Sequence, residues 1–310
     1  MSVWIITITY LIDSVHSVRV NRFEPCQIYN VIPHNIAYDF DIDVTFYKKI
    51  AFAHGLPVIS SSRVDDMAVV KACKIIEFML ADRRDIRSRL KRKHKKFGVV
   101  GGFEVITDIP EYSHLPSWYN QRARGIGGTE NVRMTVSSEE NLMCEPYDQY
   151  KEDIYVHEVA HGLHLVGSDG SFKHSVLSAY RKAKRNKLWQ NTYALYDYRE
   201  YFAEGVQSFF NYEGGHIEAP GPKTGNGVQN NIDTREKLFY YDRRLFNIIH
   251  RLFPCANWLP VRCSIVKAIG TPNDYAIEFD NQVDYLHFKQ NCKQSEVIEL
   301  TPGGQLVSTI

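Results

Sequence analysis

The chain has 310 residues, 44% of them hydrophobic and 13% aromatic, enough for a sizeable core in one large domain or two lobes. Its net charge of +1 gives no global field that would gather nucleic acid or a membrane surface. No run of 18 apolar residues occurs, so no transmembrane helix is expected.

Val3 to Leu11 is an apolar run of signal-peptide length, and Ser17 and Val15 suit the −1 and −3 positions of a cleavage region. Residues 1–17 are therefore read as a signal peptide and the protein as secreted. No Lys or Arg precedes the run, and a buried first strand in a cytoplasmic protein is the alternative. The six cysteines, Cys26, Cys73, Cys144, Cys255, Cys263 and Cys292, form no C-x-x-C pair. A cysteine zinc site is thus not expected, and disulfide pairing cannot be deduced from spacing, although Cys255 and Cys263 could close a small loop.

Residues 18–62 read as an N-terminal segment in which Val18 to Phe23 and Asp43 to Phe46 look strand-like between prolines. Ser60 to Ser62 offer caps to a long helical stretch from Val64 to about Lys96, with apolar residues near helical period. Its end, Arg83 to Lys96, carries nine Lys or Arg, and the reading is a solvated helix end whose cations suit the helix dipole. Phe97 to Val105 reads as a strand. Gly125-Ile126-Gly127-Gly128 is glycine-rich, but it lacks the lysine and the strand-then-helix context of a phosphate loop. Val132 to Ser137 is a further strand, and it is the candidate edge strand on which a peptide could pair.

Ile154 to about Val166 is then a helix carrying His157-Glu158-Val159-Ala160-His161. Positions i and i+4 share a helix face, so both imidazoles can reach one ion, with Glu158 beside that ion as a general base. Further helices are expected over 171–190, 197–210 and 234–253, with a surface loop over 214–231. Residues 63–254 are read as the catalytic domain and 255–310 as a C-terminal extension packed on it.

Two histidines are one ligand short of a catalytic zinc site, which usually has three protein ligands and an open position. The three-histidine pattern fails because Gly167 stands where its last histidine belongs. His164 lies on the same helix but drifts off the shared face, so it is read as a supporting histidine. Glu200 and Glu204, four apart in an aromatic neighbourhood, remain. One could bind metal while the other holds a ligand histidine.

The pattern Glu200-Tyr201-Phe202-Ala203-Glu204, with the H-E-x-x-H helix before it, resembles the metalloprotease domain of the lethal-factor type, a branch of the thermolysin-like gluzincins. The specific match covers about residues 150–211. The resemblance implies that Glu200 is the third zinc ligand and that Glu204 supports His157. It also implies that Tyr193, seven residues before Glu200, assists at the substrate oxyanion. The expected fold is α+β and zincin-like, a small mixed β-sheet packed on the motif helix with a mostly helical lower lobe. The expected activity is that of a metalloendopeptidase with one Zn²⁺, hydrolysing protein or peptide substrates with a zinc-activated water and Glu158 as base. A catalytically inactive zincin-fold binding protein is the alternative. Neither nucleic acid nor a membrane is expected as partner, and the oligomeric state is left open.

Overall fold

The computed structural model describes residues 23–148, 152–210 and 232–253, with the backbone of two further strands at 298–300 and 306–308. The expected strand over Val18 to Phe23, the signal segment, the 214–231 loop and the Cys255–Cys263 pair lie almost wholly outside these residues.

The described chain starts with a short helix, α1 (His34–Phe40). The segment from Asp43 to Phe46, expected as a strand, is a turn instead. The Asp43 carboxylate accepts from the Thr45 amide at 2.8 Å, a local bond that favours a turn over a ladder. The sheet starts with β1 (Lys49–Ala53) and β2 (Leu56–Ser60), an antiparallel hairpin. Its two-residue loop, His54-Gly55, takes φ 48° and 74°, the left-handed pair that matches strand twist.

The basic stretch does not form one helix. It gives α2 (Asp66–Met79) and α3 (Arg84–Arg92), and its last two lysines lead into β3 (Lys96–Val100). Leu80 and Ile86 are both buried although six residues apart, which on a continuous helix would set them about 240° round from each other. Only a break lets both face inward. Arg83 and Arg89 each bond the Asp85 carboxylate at 2.8 Å, and the Arg89 Nε donates to the Gly167 carbonyl. The run is therefore tied into the fold more than a solvated end would be.

After β3 the chain turns back at 101–104 and crosses α4 (Tyr119–Arg122) to β4 (Gly125–Ile126) and β5 (Met134–Ser138). The sheet order is β1-β2-β3-β5-β4, with β2, β3 and β5 parallel and the outer pairs antiparallel. This corrects the strand expected to pair with substrate. β5 lies inside the sheet, and its edges are β1 and the short, glycine-bearing β4. Leu56, Val58, Phe97 and Val99 face one core with α2 and the motif helix, while Ile59, Val100, Met134 and Val136 face a second. Burial on both faces is what a parallel sheet requires.

The second half is helical. α5 (Glu139–Met143) leads to α6 (Ile154–Gly162), which widens into a π-turn over Leu163–Gly167. Then come α7 (Gly170–Arg185), α8 (Tyr198–Phe209), α9 (Arg235–Tyr241) and α10 (Arg243–Leu252). The single helix expected over 234–253 is divided at Asp242. That buried carboxylate accepts from the Leu245 amide, from Trp189 Nε1 at 3.0 Å and from the Tyr201 hydroxyl at 2.7 Å. One carboxylate thus starts α10 and ties it to α8. The fold is α+β. Cys26 and Cys73 form a disulfide between the N-terminal segment and α2, and Cys144 is bonded to a partner outside the described residues. Among the described residues no helix is long and apolar enough to cross a membrane.

Candidate metal centre

α6 is fixed at its start. The Asp153 carboxylate accepts from the Val156 amide at 3.0 Å, and Asn141 Oδ1 accepts from the Ile154 amide at 2.9 Å. The helix then lies between β5 and α8, so His157 and His161 are buried while their ring edges point toward α8. α8 is capped by Asp197, whose carboxylate accepts from the Arg199 and Glu200 amides. Glu200 therefore sits in the first helical turn, where the amide dipoles favour an acid.

The ring nitrogens and the carboxylate converge. His157 Nε2 is 3.1 Å and His161 Nε2 3.2 Å from the same Oε2 of Glu200, and the two Nε2 atoms are 3.0 Å apart. These three side chains each offer a ligand atom to one point. Burial works to raise the Glu200 carboxyl, but bonds from the two imidazoles outweigh it and hold it well below the usual range. The carboxylate is thus ionised.

The other nitrogen of His157 decides the tautomer. Gln207 Nε2 donates to the Asp153 carbonyl at 3.0 Å and lies 3.3 Å from Glu152 Oε2, so its amide oxygen must turn toward His157 Nδ1, at 2.9 Å. Glu204 Oε1 also lies 3.2 Å from that nitrogen. Both neighbours can only accept, so Nδ1 carries a proton; burial works against a charged ring, but the Glu200 and Glu204 carboxylates outweigh it and hold the His157 imidazole well above its usual value. Nε2 faces Glu200 Oε2 across 3.1 Å, an approach that a proton or a metal cation between them would satisfy. Tetrahedral zinc with bonds near 2.0–2.1 Å would set its ligand atoms about 3.3 Å apart, close to the separations here. The residues present fit such an ion.

Glu158 points the other way, toward β4. It is half-buried and lies against the Gly127 backbone, whose Cβ position is 3.0 Å from Glu158 Oε2. A Cβ on Gly127 would stand 2.4 Å from His161 Cβ, so only glycine lets this backbone come so close. Burial pushes the Glu158 carboxyl above its usual value, against the pull of His157 and His161. Tyr193 lies just before α8, its ring stacked against His157 with centroids 6.4 Å apart. It is 44% exposed, which leaves its hydroxyl open to a ligand rather than locked in the core. Burial and then the Glu200 charge raise its phenol, so it stays a donor.

His164 is not among the converging groups. It is fully buried in the π-turn, ringed by Phe172, Tyr198 and Phe202, and among the described residues neither ring nitrogen has a hydrogen-bond partner. Burial holds its pKa down to about 3.

No family model, curated protein or solved structure matches the chain. The site therefore stands on its own geometry. That geometry brings His157, His161 and Glu200 together at one point, sets Glu204 beside His157, and sets Glu158 and Tyr193 on its rim. The sequence reading missed Gln207, although it falls three residues after Glu204 and seven after Glu200 and so shares their helix face. It also missed Gly127, whose contribution is a close backbone approach.

Proposed function

We propose that the protein is a zinc-dependent endopeptidase of the gluzincin type, with a zincin-like arrangement of sheet, motif helix and glutamate helix. The observation that carries this reading is the convergence of His157 Nε2, His161 Nε2 and Glu200 Oε2 within 3.0–3.2 Å of one another, with Glu158 beside them. A zinc ion at that point would supply a Lewis acid and bring the pKa of a coordinated water near 7.

The chain's own groups then divide the work. His157, His161 and Glu200 hold the metal, and Glu204 with Gln207 keeps the His157 proton on Nδ1. Glu158 takes a proton from the attacking water and returns it to the nitrogen of the departing amine. Burial raises its carboxyl above the usual value, which makes it a stronger proton acceptor. The Tyr193 hydroxyl donates to the carbonyl oxygen as negative charge gathers there. The Gly125–Ile126 strand is an edge of the described sheet beside α6, where an extended peptide could add as a strand. The retained general base argues against a binding-only role, because metal binding alone does not require Glu158.

Secretion is part of the proposal, supported by the Cys26–Cys73 disulfide, since such bonds persist in oxidising compartments. The test is to incubate zinc-loaded protein with a denatured protein mixture and sequence the new termini. Chelator-sensitive cleavage is expected. Stoichiometric zinc with no new termini would point instead to a binding protein.

A further inference from the structure

Lys95 is fully buried. Its Nζ donates to Thr135 Oγ1 at 2.7 Å and lies 5.4 Å from the centre of the Phe97 ring. Among the described residues no carboxylate forms an ion pair with it, and the acidic group whose field reaches it is Glu158. Burial disfavours the charged form and pushes this amine well below the usual lysine range, so its place needs a reason.

The surrounding glycines supply one. A Cβ on Gly162 of the motif helix would come within 3.1 Å of Lys95 Cε, and one on Gly128 within 1.8 Å of Nζ. The lysine fills the space that both glycines leave between α6 and the segment after β4. Thr135 Oγ1 accepts twice, from Lys95 and from the Gly128 amide at 2.9 Å. The neighbouring Gly127 backbone lies against Glu158, its Cβ position 3.0 Å from Oε2. A continuous line of contacts therefore runs from Lys95 through the Thr135 hydroxyl and the Gly128 and Gly127 backbone to the Glu158 carboxylate.

We propose that Lys95 is a positioning residue for the general base: it orients the Thr135 hydroxyl, which pins the 127–128 backbone, which in turn holds the Glu158 carboxylate. The catalytic part of this inference rests on the endopeptidase reading. The structural part does not, and the test separates the two.

Lys95→Met keeps the length and removes the amine, and Thr135→Val removes the hydroxyl. Each variant is measured for zinc content, melting temperature, amide hydrogen exchange and cleavage kinetics. Both should keep one zinc per chain, and Lys95→Met should melt close to wild type, because a desolvated amine has gone while the packing of the stem is kept. Exchange at the Gly127 and Gly128 amides should quicken at least tenfold, with α6 and β3 unchanged. kcat should fall by about tenfold to a hundredfold at constant KM, and Thr135→Ser should restore both. Unchanged exchange at 127–128, unchanged kcat in an enzyme that cleaves, or faster exchange spread across α6 and β3 with a lower melting temperature would each overturn the proposal. If the wild type cleaves nothing while exchange at 127–128 responds as expected, the endopeptidase reading fails and the positioning of Glu158 stands.

Discussion

The two flanks of α6 work by different means. On the α8 flank, side chains do everything: Glu200 meets both imidazoles, and Glu204 and Gln207 meet His157 Nδ1. On the β4 flank Glu158 lies against backbone, which Gly125 and Gly127 allow to come close. The flanks also treat the two histidines unequally. His157 has two acceptors at Nδ1, while His161 Nδ1 has no hydrogen-bond partner among the described residues. The difference is a division of labour: the α8 flank gathers the side chains that could hold a metal, and the β4 flank sets the position of Glu158.

That division predicts that substitutions should separate by flank. Glu158→Gln should lower kcat by roughly 10²–10⁴-fold and leave zinc bound. A variant that lost zinc along with activity would place Glu158 on the wrong side of the comparison. Tyr193→Phe should cost about 10²–10³-fold in kcat, as for a single oxyanion donor, with zinc affinity unchanged. A wild-type rate would make this tyrosine a mere neighbour of His157.

On the α8 flank, Gln207→Leu and Glu204→Ala should each weaken zinc binding by roughly 10–100-fold, because both hold the His157 proton in place. Titration against a competing chelator measures this. If Gln207→Leu binds zinc as wild type does, Glu204 alone holds the imidazole.

The smallest expected effect concerns the histidine outside both groups. His164 is held at about pH 3 by burial, below its usual 6.5. Below pH 6.5 the unfolded chain takes up this proton and the folded chain does not, so stability drains away as pH falls toward 3. His164→Phe should flatten that loss, by on the order of 1 kcal/mol per pH unit, in urea unfolding between pH 6 and pH 4. An unchanged slope would mean that His164 does not titrate this way.

The same contrast explains what the sequence could tell. The α8 flank was readable because glutamates four apart and a histidine pair four apart carry their chemistry in their identities. The β4 flank was not, because Gly125 to Gly128 resembled a failed phosphate loop and nothing marks a close backbone approach. The edge strand was misplaced for a related reason: Val132 to Ser137 has the stronger strand composition, but burial on both faces puts β5 inside the sheet. The α+β class was legible from periodicity. The break between α2 and α3 was hidden because a basic run sustains a helical appearance while the apolar stripe changes phase between Leu80 and Ile86. Lys95 was read as one cation in a solvated run, and only the fold shows it turned inward.

The most direct test of the account is the zinc content of purified wild type, Glu200→Ala and His161→Ala, read by metal analysis together with cleavage before and after chelation. The account predicts one zinc per wild-type chain, cleavage that chelator abolishes and zinc restores, and loss of both in each variant. A wild type that binds no zinc, or a Glu200→Ala variant that binds zinc as tightly as wild type, would contradict it.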